Sequence, residues 1–265
     1  MDRIECSWCQ TQNEPGRVAC AACGAPLDAG RVVTDSGWRE APRLRDLTEF
    51  HFSNSTCQID GEIVPVAEVA LAAGDAVFFE HHVLLWKEEQ VPMAAQPTSG
   101  GLKRLMAGMP YLVSVASGPG RVAFSRDAPG EVVVLPLHPE MEIDVREHAF
   151  LAASHSIAYS FVRIKGLASV LHGGSGMYMD RFVTQGAPGL LLLHGYGNVF
   201  ERVLGPGETI LVEPGGFLYK DSSVTLEVHK QDVRTGIVRH GLYLAEMTGP
   251  GRVGVQSMYV HHESG

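Results

Sequence analysis

The sequence predicts an all-β protein, a small cysteine-rich head followed by a larger body of repeated β-sandwich units, and three observations carry that prediction. Glycine and proline are abundant, at 30 and 15 of 265 residues, while charged residues make up only 19%. That balance favours short strands joined by tight turns over long solvated helices. Apolar residues alternate with polar ones, as in Val224, Leu226 and Val228 against Thr225, Glu227 and His229, which is the two-residue period of a half-buried strand. Several turn-plus-strand segments also recur along the chain.

The head, residues 1–29, contains the stretch ECSWCQTQNEPGRVACAACGAPL, with four of the five cysteines. Cys6, Cys9, Cys20 and Cys23 form a C-x2-C-x10-C-x2-C pattern. Each two-residue spacer lets a tight turn aim two thiolates at one ion, and two such knuckles predict a closed tetrahedral Zn2+ site. With every position taken by a thiolate, one such ion per chain is structural, and it supplies folding energy that so short a segment cannot obtain by burial. Two disulfides, or an iron centre on the same ligands, are the alternatives. Asn13, Gly16, Gly24 and Leu27 extend the pattern until it resembles the short bacterial zinc ribbon. Fingers of the nuclear-pore type carry Thr-Phe after the second cysteine, where this chain has Gln10 and Thr11. Arg3 and Arg17 stand against Asp2, Glu5, Glu14 and Asp28, an acidic balance that favours a protein contact over a phosphate one. Trp8 is the candidate contact, with packing over the metal knuckle as its other role.

Residues 30–49 mix four arginines, four acidic residues and Pro42 without a sustained period, which suits a linker. The body, residues 50–265, is a tandem of two or three like units. GLKRLMAG at 101–108 recurs as GLASVLHG at 166–173, each with apolar residues at helical spacing, and each is expected to be a short helical cap on a sandwich. The segment from Pro129 answers that from Pro206, which matches Gly130-Glu131 to Gly207-Glu208 and Phe150 to Phe217. A fainter copy opens at Gly74-Asp75. GPGRV occurs at 118–122 and 249–253, a turn entering a strand, and Arg121 and Arg252 are candidates to meet a carboxylate across a subunit boundary.

Residues 52 to 228 resemble the altered-inheritance-of-mitochondria-24 family. The segments that carry the resemblance are GGLKRLMAG, GPGRVAFSRDAPGEVVVL, HAFLAAS, and GLASVLHGGSGMY through GPGETILVEPGGFLYKDSSVTLEV. It implies a duplicated β-sandwich similar to the tryptophan-RNA-binding attenuation protein, a shortened double-stranded β-helix that assembles into ring-like homo-oligomers without established enzymatic activity. The family's mitochondrial branch is linked with inner-membrane organisation, so peripheral membrane contact enters by analogy only. No counterpart of the attenuator's basic RNA-binding ridge or tryptophan pocket is found in the sequence.

Charge and motif content narrow the functions further. A net charge of −9 repels phosphate backbones and anionic lipid, so no nucleic-acid partner is expected. No apolar run reaches the length of a membrane span, and the start lacks the features of a secretion signal, which together with metal-spaced cysteines predicts a cytoplasmic protein. Cys57 reads as a small buried hydrophobe. The sequence has no phosphate loop and no H-E-x-x-H, and GGSGM fails the nucleophile elbow at Met177. Among twelve histidines, His81-His82 and His261-His262 are adjacent pairs that point to opposite faces of a strand. Glu80 and His82 share a face and would need His138 or His148 to build a metal site. Glu140, Glu142 and Asp144 alternate with Met141, Ile143 and Val145 as one solvated face. The leading expectation is therefore a non-enzymatic scaffold or adaptor, a homo-oligomer with a trimer favoured, which presents zinc ribbons to a partner protein. Two alternatives are a small-molecule or metal-binding β-helix-type enzyme using body histidines, and a nucleic-acid-binding regulator.

Overall fold

The computed structural model describes residues 4, 5, 11–14, 17, 20–22, 27, 36, 38–40, 48–98, 112–163, 165, 166, 178–235 and 238–258. Among them the protein is all-β, its strands antiparallel except for one two-residue parallel pairing of Lys165–Gly166, with two short 3-10 turns. The head contributes the hairpin of β1 (Ile4–Glu5) and β2 (Gln12–Asn13), and β3 (Arg39–Glu40) precedes the body. A second hairpin, β4 (Thr48–Phe52) and β5 (Ser55–Asp60), leads into a six-strand pattern.

That pattern occurs three times. The first unit comprises β6 (Val66–Leu71), β7 (Ala76–Phe79), β8 (Leu84–Lys87), β9 (Met93–Pro97), β10 (Leu112–Ser117) and β11 (Gly120–Phe124). The second comprises β12 (Gly130–Leu137), β13 (Glu142–Arg146), β14 (Phe150–Ser154) and β15 (Ile157–Arg163). After the two-residue insert β16 (Lys165–Gly166), it ends with β17 (Tyr178–Thr184) and β18 (Gly189–Tyr196). The third comprises β19 (Val199–Leu204), β20 (Thr209–Val212), β21 (Phe217–Asp221), β22 (Thr225–Thr235), β23 (Val238–Thr248) and β24 (Gly251–Gln256). In every unit the first strand pairs with the sixth, the sixth with the third, the second with the fifth, and the fifth with the fourth.

Consecutive units are joined by one rule. The third strand of a unit pairs with the second strand of the unit before it, β14 on β7 and β21 on β13. The register is the same at both junctions: Ala152, Ala153 and Ser154 lie opposite Phe79, Phe78 and Val77, and Tyr219, Lys220 and Asp221 opposite Val145, Asp144 and Ile143. The halves fuse into two central sheets, β12-β18-β14-β7-β10-β9 and β15-β17-β13-β21-β24-β19-β3. The outer sheets are β4-β5-β6-β11-β8 and β16-β22-β23-β20.

Local chemistry repeats with the topology. Gly120 and Gly251 sit at φ of +136° and +138°, a region that side chains disfavour, at the same point of each GPGRV turn. The residue after each donates its backbone N–H to the side chain at the end of the third strand, Arg121 to Glu88 just past β8 at 2.9 Å and Arg252 to Asp221, the last residue of β21, at 2.7 Å. Leu190 does the same to Ser154 at 3.0 Å in the middle unit. The turns between first and second strands close through Asp75 N–H to Ala72 O, Met141 to His138 and Glu208 to Gly205, at 3.0 to 3.1 Å. These equivalences shift the repeat register expected from sequence. Phe150 does correspond to Phe217, but Gly207-Glu208 corresponds to Gly74-Asp75, whereas Gly130-Glu131 opens a first strand. A Gly-acid pair before an apolar run marks entry into a strand without specifying which one. The GLKRLMAG segment lies outside the described residues, as does all of GLASVLHG after Gly166.

The inner strands of the central sheets are covered on both faces, and β14 and β18 are buried at nearly every position without alternation. In β18, Leu190 and Leu192 join Val69, Val77, Phe79 and Phe124 in one core, while Leu191 and Leu193 join Phe150, Tyr159 and Phe182 in the next. The rings of Phe150 and Phe182 lie 4.8 Å apart, and Tyr159 stacks on Phe182 at 5.0 Å. A third core gathers Met179, Phe217, Val224, Val228, Met247 and Val253. Thr225, Glu227 and His229 face solvent opposite Val224 and Val228, as the alternation predicts. Cys57 is fully buried in the first core, and burial pushes its thiol pKa up to about 12.

Two predictions follow from these cores. Leu193→Ala removes a fully buried side chain between two rigid sheets and should cost about 2–5 kcal/mol in denaturant unfolding. A loss under about 1 kcal/mol would mean that the sheets close over the gap. His194 is buried beside the Ala128 carbonyl at 3.2 Å, and burial, followed by the charge of Arg126, lowers its pKa to about 4. Because the unfolded chain takes up this proton first, the contribution is complete above about pH 6.5 and is lost as pH falls from there towards 4. Stability should therefore drop by about 2 kcal/mol between pH 7 and 5 on this account, and His194→Gln should remove that part of the slope. An identical slope in the variant would rule the histidine out.

Candidate functional site

Of the predicted ligands Cys6, Cys9, Cys20 and Cys23, only Cys20 lies among the described residues; Cys6, Cys9, Cys23 and Trp8 fall outside them. Cys20 is buried against Leu27 and Ile4, at the open side of the β1–β2 hairpin. Two nitrogen donors approach its sulfur, the Ala22 backbone N–H at 3.4 Å and the Asn13 Nδ2 at 3.5 Å. N–H groups aimed at sulfur stabilise the thiolate over the thiol, which is the form a metal ligand must take. Asn13, itself buried, ties the knuckle together: its Oδ1 accepts from the Ala21 N–H at 2.9 Å and its Nδ2 donates to the Thr11 carbonyl at 2.8 Å. The asparagine in the sequence pattern thus has a definite mechanical role, and the donor set around Cys20 fits a thiolate ligand. Between head and body, β3 pairs with β19, with Arg39 opposite Glu201 and Glu40 opposite Phe200, and the Arg202 guanidinium lies 5.8 Å from the Trp38 ring centre.

The body histidines do not converge on a metal among the described residues. Glu80 and His82 do come together, at 3.5 Å, but by a different route from the one expected: His81–Val83 is a 3-10 turn with Glu80 as its N-cap, not a strand, so the opposite-face reading of His81-His82 does not apply. The Arg126 guanidinium reaches the same imidazole nitrogen at 3.1 Å, so a cation stands where a third ligand would be required. His148 lies 3.8 Å from its neighbour Glu147, and the His138 carbonyl accepts from Thr184 Oγ1 at 2.9 Å. His261 and His262 fall outside the described residues.

The carboxylates of β13 depart from the expected solvated face. Asp144 is buried and accepts from Arg181 Nε at 2.6 Å, Arg181 Nη2 at 3.0 Å and Lys220 Nζ at 2.7 Å. Arg181 and Lys220 are its direct neighbours on the two flanking strands, and Glu142 joins Arg181 at 2.8 Å. The hydrogen bonds to Asp144 hold the Arg181 pKa above its ordinary value. The face is buried because β13 is an inner strand of a sheet covered on both sides. Nothing in the alternation of β13 distinguishes such a face from a wet one, though Arg181 and Lys220 at matching strand positions are the signal that could have found it.

Two tyrosine–carboxylate pairs are likewise cross-strand ties. Tyr219 donates to Glu201 at 2.6 Å, and burial, reinforced by that carboxylate, drives the phenol pKa well above its ordinary value. Tyr159 donates to Asp180 at 2.8 Å. Arg252 meets Asp221 at 3.0 Å and Arg121 meets Glu68, so each finds its carboxylate within the chain. A void lined by Phe52, Val69, Val77, Ala152 and Leu190 has about 10 Å³ of free space, room for about one water and no substrate. No helix among the described residues is long and apolar enough to cross a membrane.

Comparison with known proteins agrees with this architecture. No curated protein is significantly similar in sequence. The crystal structure of a protein from Streptococcus pyogenes superposes with a TM-score of 0.58 at 20% identity, over 77% of this chain and 94% of the other, a likeness of fold. A family model described as "Mitochondrial biogenesis AIM24" matches residues 57–258, which spans all three six-strand units. On that match, the chain belongs to the AIM24 family.

Proposed function

We propose that this protein is a non-enzymatic, homo-oligomeric scaffold, whose attenuator-like body gathers several copies of an N-terminal zinc ribbon on Cys6, Cys9, Cys20 and Cys23 for binding a partner protein in the cytoplasm. The observation that carries the reading is where the body places its reactive side chains. Asp144, Arg181 and Lys220, and likewise Tyr219 with Glu201, are engaged with one another across strands instead of lining an open cleft. Such groups hold sheets together, and their reactivity is damped by the partners that neutralise them. The head has the complementary character. Its one described cysteine sulfur is presented with two N–H donors, the arrangement of a thiolate held for a metal.

A structural zinc leaves no exchangeable position for catalysis, so its contribution is to fix a small recognition surface that would not otherwise fold. A single contact of that size binds weakly. Several copies held on one assembly raise the avidity by orders of magnitude without new chemistry, which gives the oligomer, here favoured as a trimer, its purpose.

Metal analysis checks the head: the protein as purified should carry about one zinc per chain, and replacing Cys20 and Cys23 with serine should remove it. A full equivalent retained in that variant would place the metal elsewhere and revive a body-centred enzyme. Light scattering checks the body, with a mass several times the 28.6 kDa of one chain expected at micromolar protein and a single-chain mass sinking the scaffold. Partners that co-purify with the intact protein should be lost when residues 1–29 are deleted.

A further inference from the structure

The junction made twice inside the chain leaves one half of itself at each end. A third strand pairs with the second strand of the preceding unit, as in β14 on β7 and β21 on β13. The third strand of the first unit, β8, has no preceding unit, and among the described residues it ends its sheet with only β11 beside it. The second strand of the last unit, β20, has no following unit and ends its sheet beside β23. One end therefore offers the edge that the other end requires.

The residues on these edges keep the apolar character of a junction although they are exposed. Leu85 and Trp86 are 54% and 39% exposed, yet their counterparts Leu151 and Ala152 in β14, and Leu218 and Tyr219 in β21, are fully buried. Leu211 in β20 is 55% exposed, while its counterparts Phe78 in β7 and Asp144 in β13 are buried. An unpaired edge strand with large apolar side chains invites another strand, and proteins that stay monomeric blunt such edges with charge, proline or a covering segment.

We infer that β8 of one copy of this chain pairs antiparallel with β20 of a second copy, so that the internal junction rule continues from chain to chain. The shared register of the two internal junctions assigns this one, with Trp86 opposite Val212, Lys87 opposite Leu211 and Glu88 opposite Ile210. The contact is heterologous: each chain uses two different edges, so the assembly closes into a ring if the rotation between chains allows and otherwise extends. This deepens the oligomeric reading above and rests on it, and it names the surface through which the copies meet.

Two variants, each blocking one edge, test the pairing. Leu211→Lys sets like charges opposite Lys87 and blocks β20, while Trp86→Lys blocks β8; both positions are solvent-facing in the single chain, so thermal melting should match the wild type. Light scattering should show the wild type as a multiple of 28.6 kDa and each variant reduced towards one chain, with assembly weakened at least about tenfold. Mixed in equal amounts, the variants should recover a two-chain species, because the open β8 of Leu211→Lys meets the open β20 of Trp86→Lys. If either variant keeps the wild-type mass, or the mixture stays at one chain, the β8–β20 pairing is wrong while an oligomeric wild type leaves the scaffold standing. A single-chain wild type removes both.

Discussion

The fold depends on strand pairing across the boundary between units. When β14 pairs with β7 and β21 with β13, two half-sheets become one, and each shared sheet acquires a core on both faces. No unit is complete alone, because its second, fourth and fifth strands lie in a different sheet from its first, third and sixth. Hydrophobic burial then accumulates over layers that successive units build together, in the nearest-neighbour manner of repeat proteins.

Burial on both faces also explains the electrostatics. A charged residue buried on an inner strand, as Asp144 is, persists only if the flanking strands neutralise it, and Asp144 sits between Arg181 and Lys220 for that reason. Such a triad contributes little net stability compared with apolar residues of the same size, but it penalises any slip in register, since a shift of one residue would separate the charges. The buried Tyr159–Asp180 bond ties the neighbouring strands β15 and β17 in the same way, and Tyr219–Glu201 reaches across β24 from β21 to β19. The polar groups of the interior thus specify alignment.

Much of this was legible in the sequence, and what was not has a physical reason. The alternation at Val224 to His229, the burial of Cys57 and the turn character of GPGRV depend only on neighbouring residues, and each is found as expected. The family resemblance, legible over residues 52 to 228, lies within the repeated region but stops short of β23 and β24, which the family match over residues 57–258 includes. Three features needed more than local pattern. Alternation in β13 reports that two faces differ but not that both are covered, so Asp144 read as solvated. The Gly-acid pairs at 74, 130 and 207 mark strand entries of similar chemistry, and only the pairing distinguishes their places in the unit. The docking of β3 on β19 involves two polar residues, too few to form a pattern, and their pairing is determined by the edge they meet. In the head, the cysteine spacing and Asn13 were both readable, and the geometry at Cys20 supplies the reason for the asparagine.

The sharing of each central sheet between neighbours bears on how such a chain can change over evolutionary time. Deleting part of a module strands its half-sheets on both sides and exposes two cores, whereas gain or loss of a whole module leaves the terminal edges chemically as they were. Length variation in proteins built this way should therefore come in modular steps, with smaller insertions confined to the connections between fourth and fifth strands, whose length in this chain is two residues in the third unit and much greater in the other two.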